Sequence, residues 1–149
     1  MKEATKPGMN SVFAEFAGTF ILVFAITAAI AGSMQFTESF GALNLVVVAF
    51  TAGLVLMVLI NTFGPVSGGH FNPAVTIGLW FAEKFPKEKV PAYIAAQFLG
   101  GILASAALWA IVQNEALGAT TAGNFGVISA ALMEIAASAI FMVVILAAT

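Results

Sequence analysis

The chain has 149 residues, 61% hydrophobic and 8% charged, with a mean hydropathy of +1.05 and a formal net charge of −2. Soluble domains carry about 25% charged residues, so this composition excludes a globular domain with a large core and points to a membrane protein. Arg and Cys are absent and there is one His and one Tyr. That removes disulfides, thiol catalysis and thiolate metal sites, gives no footing for a nucleic-acid partner, and argues against an intramembrane enzyme, a cofactor or a metal centre.

After a polar start with Lys2, Glu3 and Lys6, an apolar stretch from about Val12 to Ala31 is long enough to span a bilayer as a helix. Ala29-Ile30-Ala31 resembles a signal-peptidase site, but the stretch is longer than a signal core and contains Glu15, so it reads as a retained span. A short loop with Glu38 leads to a second span, about Ala42 to Phe63. Gly64 to Trp80 then has a different character. Glycines, Pro65 and Ser67 give way at Asn72-Pro73 to a short apolar run that stops near Glu83-Lys84. Asn is a strong helix N-cap and Pro suits the first helical position, so this reads as a loop, Gly64 to Phe71, feeding a half-length helix. From Pro73 to Ala82 that helix is roughly 15 Å long, about half the hydrocarbon thickness. It enters the membrane without crossing it.

Lys84, Lys87 and Lys89 follow, and Pro86 and Pro91 mark a break before a third span, about Val90 to Val112. A loop from Gln113 to Phe125, with Glu115 and no Lys, precedes the fourth span, about Gly126 to Ala148. Lysine placement tests this order. With a cytoplasmic amino terminus and a re-entrant Asn-Pro segment, all five lysines share the cytoplasmic face and both outer loops lack Lys. A full crossing there would divide the lysines between faces.

Ala14 to Ile21 aligns with Met133 to Ile140 at an offset of 119 residues, matching Glu15 with Glu134, Ala17 with Ala136, Ile21 with Ile140 and Thr19 with Ser138. Three crossings separate the two segments, so they run in opposite directions, as in inverted-repeat transporters and channels. The predicted organisation is one transmembrane domain over 1–149. Its first repeat is 12–118 with a re-entrant loop at 64–82, and 126–149 is the first helix of a second repeat. Completing that repeat needs roughly 80 to 100 more residues, so the chain reads as truncated.

Irregular backbone at membrane depth is tolerated only where protein buries it or a water-filled cavity adjoins it. The loop therefore predicts a polar passage lined by backbone carbonyls. Asn72 would offer amide hydrogens at a helix terminus that carries roughly half a positive charge. Such a site suits a neutral hydrogen-bonding solute and repels cations. The plainer reading of Asn72 is a cap whose side chain is consumed by backbone NH groups.

Ser67-Gly68-Gly69-His70-Phe71-Asn72-Pro73-Ala74-Val75-Thr76 resembles the first signature loop of the aquaporin and aquaglyceroporin (major intrinsic protein) family. Ala14 to Phe20, Ala96-Gln97-Phe98-Leu99-Gly100-Gly101 and Glu134 match as well, so the resemblance covers essentially the whole chain. It implies an all-α membrane protein, here an incomplete aquaporin-like inverted-repeat bundle of four spanning helices plus one re-entrant half-helix. It also implies a pore loop of Gly68, Gly69, His70, Asn72, Pro73 and Ala74. Asn72 would donate to a passing water and so break the proton wire, while the carbonyls of Gly68, Gly69 and His70 accept from solute. The resemblance assigns Glu15 to bracing this loop and Glu134 to bracing its counterpart. It places one constriction residue, usually aromatic, twenty positions before the signature Asn; that is Ala52, although a local shift would bring Phe50 there. It implies a homotetramer with one pore per subunit. His70 reads as pore wall or loop brace rather than metal ligand, Gln97 as an interhelical hydrogen-bonding group, and Gly100 with Ala104 and Gly101 with Ser105 as close-packing pairs.

The function this implies, as an expectation, is a passive channel in the cell membrane for water or small neutral solutes such as glycerol, with the lipid bilayer as its surroundings. Two rivals stand beside it. One is a proton- or ion-coupled transporter using Glu15 and Glu134, since intramembrane carboxyls often form proton relays. The other is a non-conducting channel fragment.

Overall fold

The computed structural model describes residues 8–34, 43–113 and 126–149. Among them every regular element is helical: α1 (Met9–Met34), α2 (Leu43–Ser67), the short α3 (Pro73–Phe81), a single 3-10 turn (Lys87–Lys89), α4 (Val90–Val112) and α5 (Gly126–Ala148). Four of these helices are long and apolar enough to cross a membrane, and α3, at about 13 Å, is not. Lys2, Lys6 and the loops carrying Glu38 and Glu115 lie outside the described residues.

The helices are apolar on every side, so none has the polar face that would turn to water. Bulky side chains such as Phe13, Leu45, Met57, Ile102 and Val143 point outward, where lipid is the solvent. Small and polar residues face inward: Ala14, Glu15 and Thr19 on α1 meet Ala96, Gln97, Gly100 and Ala104 on α4. Without a hydrophobic drive between helices in lipid, close backbone approach must supply the attraction. Gly100 permits it, because a Cβ there would lie 2.5 Å from the Phe16 carbonyl oxygen. Gly101 differs: its nearest neighbour would be Val23 at 3.9 Å, so it borders open space and not the helix contact.

α1 packs on both α2 and α4, and α3 is held against α4. The helix α5 meets the rest chiefly through α3, where Met142 lies over Gly78.

The loop is shorter than the sequence suggests. α2 continues through Gly64 and Pro65 to Ser67, and Gly68 N still donates to the Gly64 carbonyl at 2.8 Å. In water, Gly-Pro marks an exit from a helix. In lipid a backbone that leaves the helix finds no other partners, so losing the one bond that Pro65 cannot donate is the smaller penalty. α4 has the predicted bounds, Val90–Val112, with Pro91 in its first turn, where a missing NH costs nothing. α1 extends about one turn beyond its predicted limits.

Candidate functional site

Five residues, Gly68 to Asn72, separate α2 from α3, and two of their NH groups, those of His70 and Phe71, converge on one side chain. Glu15, fully buried on α1, accepts from Ser67 Oγ (2.6 Å) and His70 N (3.0 Å) through Oε1, and from Phe71 N (2.7 Å) and Gln97 Nε2 (2.8 Å) through Oε2. Gly69 N donates to Ser67 Oγ at 3.1 Å, which extends the cluster by one amide. Successive NH groups turned to one side form an anion-binding nest. The turning requires left-handed backbone at Gly68 (φ 95°) and Gly69 (φ 68°), which glycine adopts without strain. Phe71 (φ 48°) adopts it too, held by Glu15 on one side and by its ring over Gly18 on the other.

A second layer fixes the first. Gln97 Nε2 also donates to Thr76 Oγ1 (2.9 Å), and Tyr93 OH donates to the Ser67 carbonyl (2.7 Å). Thr76 Oγ1 lies 3.2 Å from the Asn72 carbonyl and 3.0 Å from His70 Nδ1. A hydroxyl has one hydrogen. If it goes to Asn72, the oxygen accepts from both Gln97 and an Nδ1-protonated His70, and each group has one role. The His70 ring is buried, with its centroid 4.6 Å from that of Phe85 and 5.2 Å from that of Tyr93. The imidazole therefore packs behind the loop.

Gly68 and Asn72, at the two ends of the loop, are exposed. Asn72 caps α3 from extended backbone (φ −152°, ψ 127°), and its Oδ1 accepts from Ala74 N at 2.8 Å, with Pro73 in the first helical position. Because an NH must face the oxygen, this bond settles the amide orientation. Nδ2 points away and finds no acceptor among the described residues, and Asn72 is exposed. The carbonyls of Gly68, Gly69 and His70 likewise accept from no backbone or side-chain donor among the described residues. Capping thus uses half the Asn72 amide and leaves both hydrogens available, which the either-or choice posed by the sequence overlooks.

Ala52 is half-buried midway along α2, while Phe50 is exposed. Glu134 is exposed on α5, away from the cluster. Ser67, Thr76 and Tyr93 take part without having been singled out individually. Their signals were modest: Ser67 and Thr76 lie inside the signature stretch, and Tyr93 is the one tyrosine, in an apolar helix where a buried hydroxyl needs a partner.

Residues 2–149 match the family described as Major intrinsic protein. Aquaporin Z of Photorhabdus laumondii is 40% identical over 156 aligned residues, covering 95% of this chain and 66% of that protein. Nodulin-26 of Glycine max is 43% identical over 102 residues, covering 68% of the chain and 36% of its own length. A probable NIP-type aquaporin of Nicotiana alata is 36% identical over 140 residues, covering 92% of the chain and 50% of its own length. The chain thus spans between 36% and 66% of the length of these curated relatives.

Proposed function

The chain belongs to the major intrinsic protein family, and from that premise we propose that it forms part of a passive membrane channel for water or small neutral solutes. The observation that carries the proposal is the divided Asn72 amide, with its oxygen spent on the α3 cap and its two hydrogens presented outward. A permeating oxygen accepts those hydrogens. A water so held has its own hydrogens turned to either side, which interrupts proton hopping, and the carbonyls of Gly68, Gly69 and His70 accept from solute on one of those sides. Pro73 and Ala74 keep the donor at the helix terminus. No bond is made or broken in the solute.

Glu15 is the brace that keeps this geometry. With both carboxyl oxygens already accepting from two donors each, it has no free position for relaying a proton, which favours a channel over a coupled transporter. Glu134 has the corresponding part toward a second loop. The small side chain of Ala52 favours a wide constriction, and hence solutes of glycerol size. The topology has the amino terminus in the cytoplasm; support comes from the five lysines, which all fall on one face when the Asn-Pro segment is re-entrant. A homotetramer with one pore per subunit completes the proposal.

The test is a chimera in which this chain replaces the corresponding part of the Photorhabdus laumondii aquaporin Z, assayed by swelling of proteoliposomes. A channel gives fast swelling that is indifferent to proton and sodium gradients, while the chain alone swells vesicles little above background. Flux that follows either gradient would establish the transporter instead.

A further inference from the structure

Beside Asn72, α1 and α4 enclose a groove of ≈ 620 Å³. Two buried polar atoms in residues that line it have no hydrogen-bond partner among the described residues: Thr19 Oγ1 and Gln97 Oε1, in residues that are 5% and 2% exposed. Their isolation has local causes. Both Gln97 amide hydrogens are taken by Glu15 and Thr76, and a flipped amide would set oxygen against the carboxylate, so Oε1 must face the other way. Helical threonines commonly return their hydroxyl to their own backbone, as Thr27 does to Val23 (2.7 Å) and Thr62 to Val58 (2.9 Å). Thr19 does not.

The two residues meet across the helix contact, because Gly100, one turn beyond Gln97 on α4, would carry its Cβ 3.3 Å from Thr19 Cβ. Gly101 and Ser105 continue the same face of α4 into the groove, and the missing side chain of Gly101 leaves room there. A buried polar group without a partner is strongly disfavoured in lipid, and a water needs only such room and two or more polar partners.

We infer that Thr19 Oγ1 and Gln97 Oε1 bind one ordered water, which locks the Gln97 amide and through it the Glu15–loop cluster. The water donates to Oε1 and exchanges a hydrogen bond with the threonine hydroxyl. Thr19 is thereby a positioning residue for a loop it does not touch through this hydroxyl. The site takes a hydroxyl-sized donor and is separate from the Asn72 amide.

The experiment is a structure of the whole chain in lipid nanodiscs at a resolution that shows waters, together with hydrogen exchange at the His70 and Phe71 amides in wild type, Thr19→Val and Thr19→Ser. Density within hydrogen-bonding distance of both atoms in wild type and Thr19→Ser supports the inference, as does its loss in Thr19→Val with about five-fold faster exchange, the effect of losing one net hydrogen bond. Thr19 turned onto the Glu15 carbonyl, or a protein group filling the position, overturns it. Water present with unchanged exchange in Thr19→Val overturns the positioning role. Should Thr19→Val fail to fold, the wild-type density and the Thr19→Ser exchange still decide.

Discussion

Glu15 and Glu134 align in sequence within two apolar helices, and the two surroundings could hardly differ more. On α1 the carboxyl is buried under a loop that gives it two backbone NH groups, a hydroxyl and an amide. On α5 it stands exposed, on a helix whose main attachments are Met142 over Gly78 and the Lys84 bond at its end. The carboxylate alone does not make a site. It becomes one when a left-handed turn aims a row of NH groups at it, and the turn in turn depends on having that acceptor.

Substitution at these two positions gives the largest expected contrast. Glu15→Leu strands several buried donors at about 1–3 kcal/mol each, enough to unfold the loop or the whole bundle. Glu134→Leu in the same chain strands no donor among the described residues and places an apolar side chain on an apolar helix, so it causes no loss of stability. Reversible unfolding in mixed micelles measures both, and equal losses would erase the distinction. Gly69→Ala comes next, since a side chain at φ 68° costs roughly 1–2 kcal/mol, and its Cβ would also lie 3.4 Å from Gly64 Cα. Tyr93→Phe removes one buried bond to the Ser67 carbonyl and should lower stability by about 1 kcal/mol, with faster amide exchange confined to the loop.

The smallest effect belongs to the far end of α3. There Glu83 (φ 59°) holds the left-handed position of a Schellman turn closed by Lys84 N to the Leu79 carbonyl (2.9 Å), a position where glycine is usual. Glu83→Gly should stabilise by a few tenths of a kcal/mol up to about 1. A loss of stability there would mean that the glutamate side chain has a role the turn does not explain.

The sequence made the large features readable because lipid imposes simple rules. Length and apolarity find α1, α2, α4 and α5, and Asn72-Pro73 announces α3, since capping is a local matter. What it misjudged was the start of the loop, because Gly64-Pro65 is weighed by habits learned from water, where a released carbonyl has somewhere to go. Within the site, Glu15, Gln97 and the glycines could be named because polar or flexible residues are rare in such helices. The joint use of Thr76 by Gln97, His70 and Asn72 could not, since it depends on distances set by how α3 leans on α4. Nor could the sequence say that one amide both caps a helix and keeps its hydrogens free.

That last point is where the account is most directly exposed. Asn72→Asp retains an oxygen for Ala74 N, and so the cap, while removing both amide hydrogens. In the aquaporin Z chimera, stopped-flow swelling of Asn72→Asp should show solute flux reduced about ten-fold or more, the equivalent of one lost hydrogen bond to the permeant together with the repulsion of its oxygen, at near-normal folding. Flux equal to that of the unsubstituted chimera would mean that Asn72 is only a cap, and the proposed path past its amide would be contradicted.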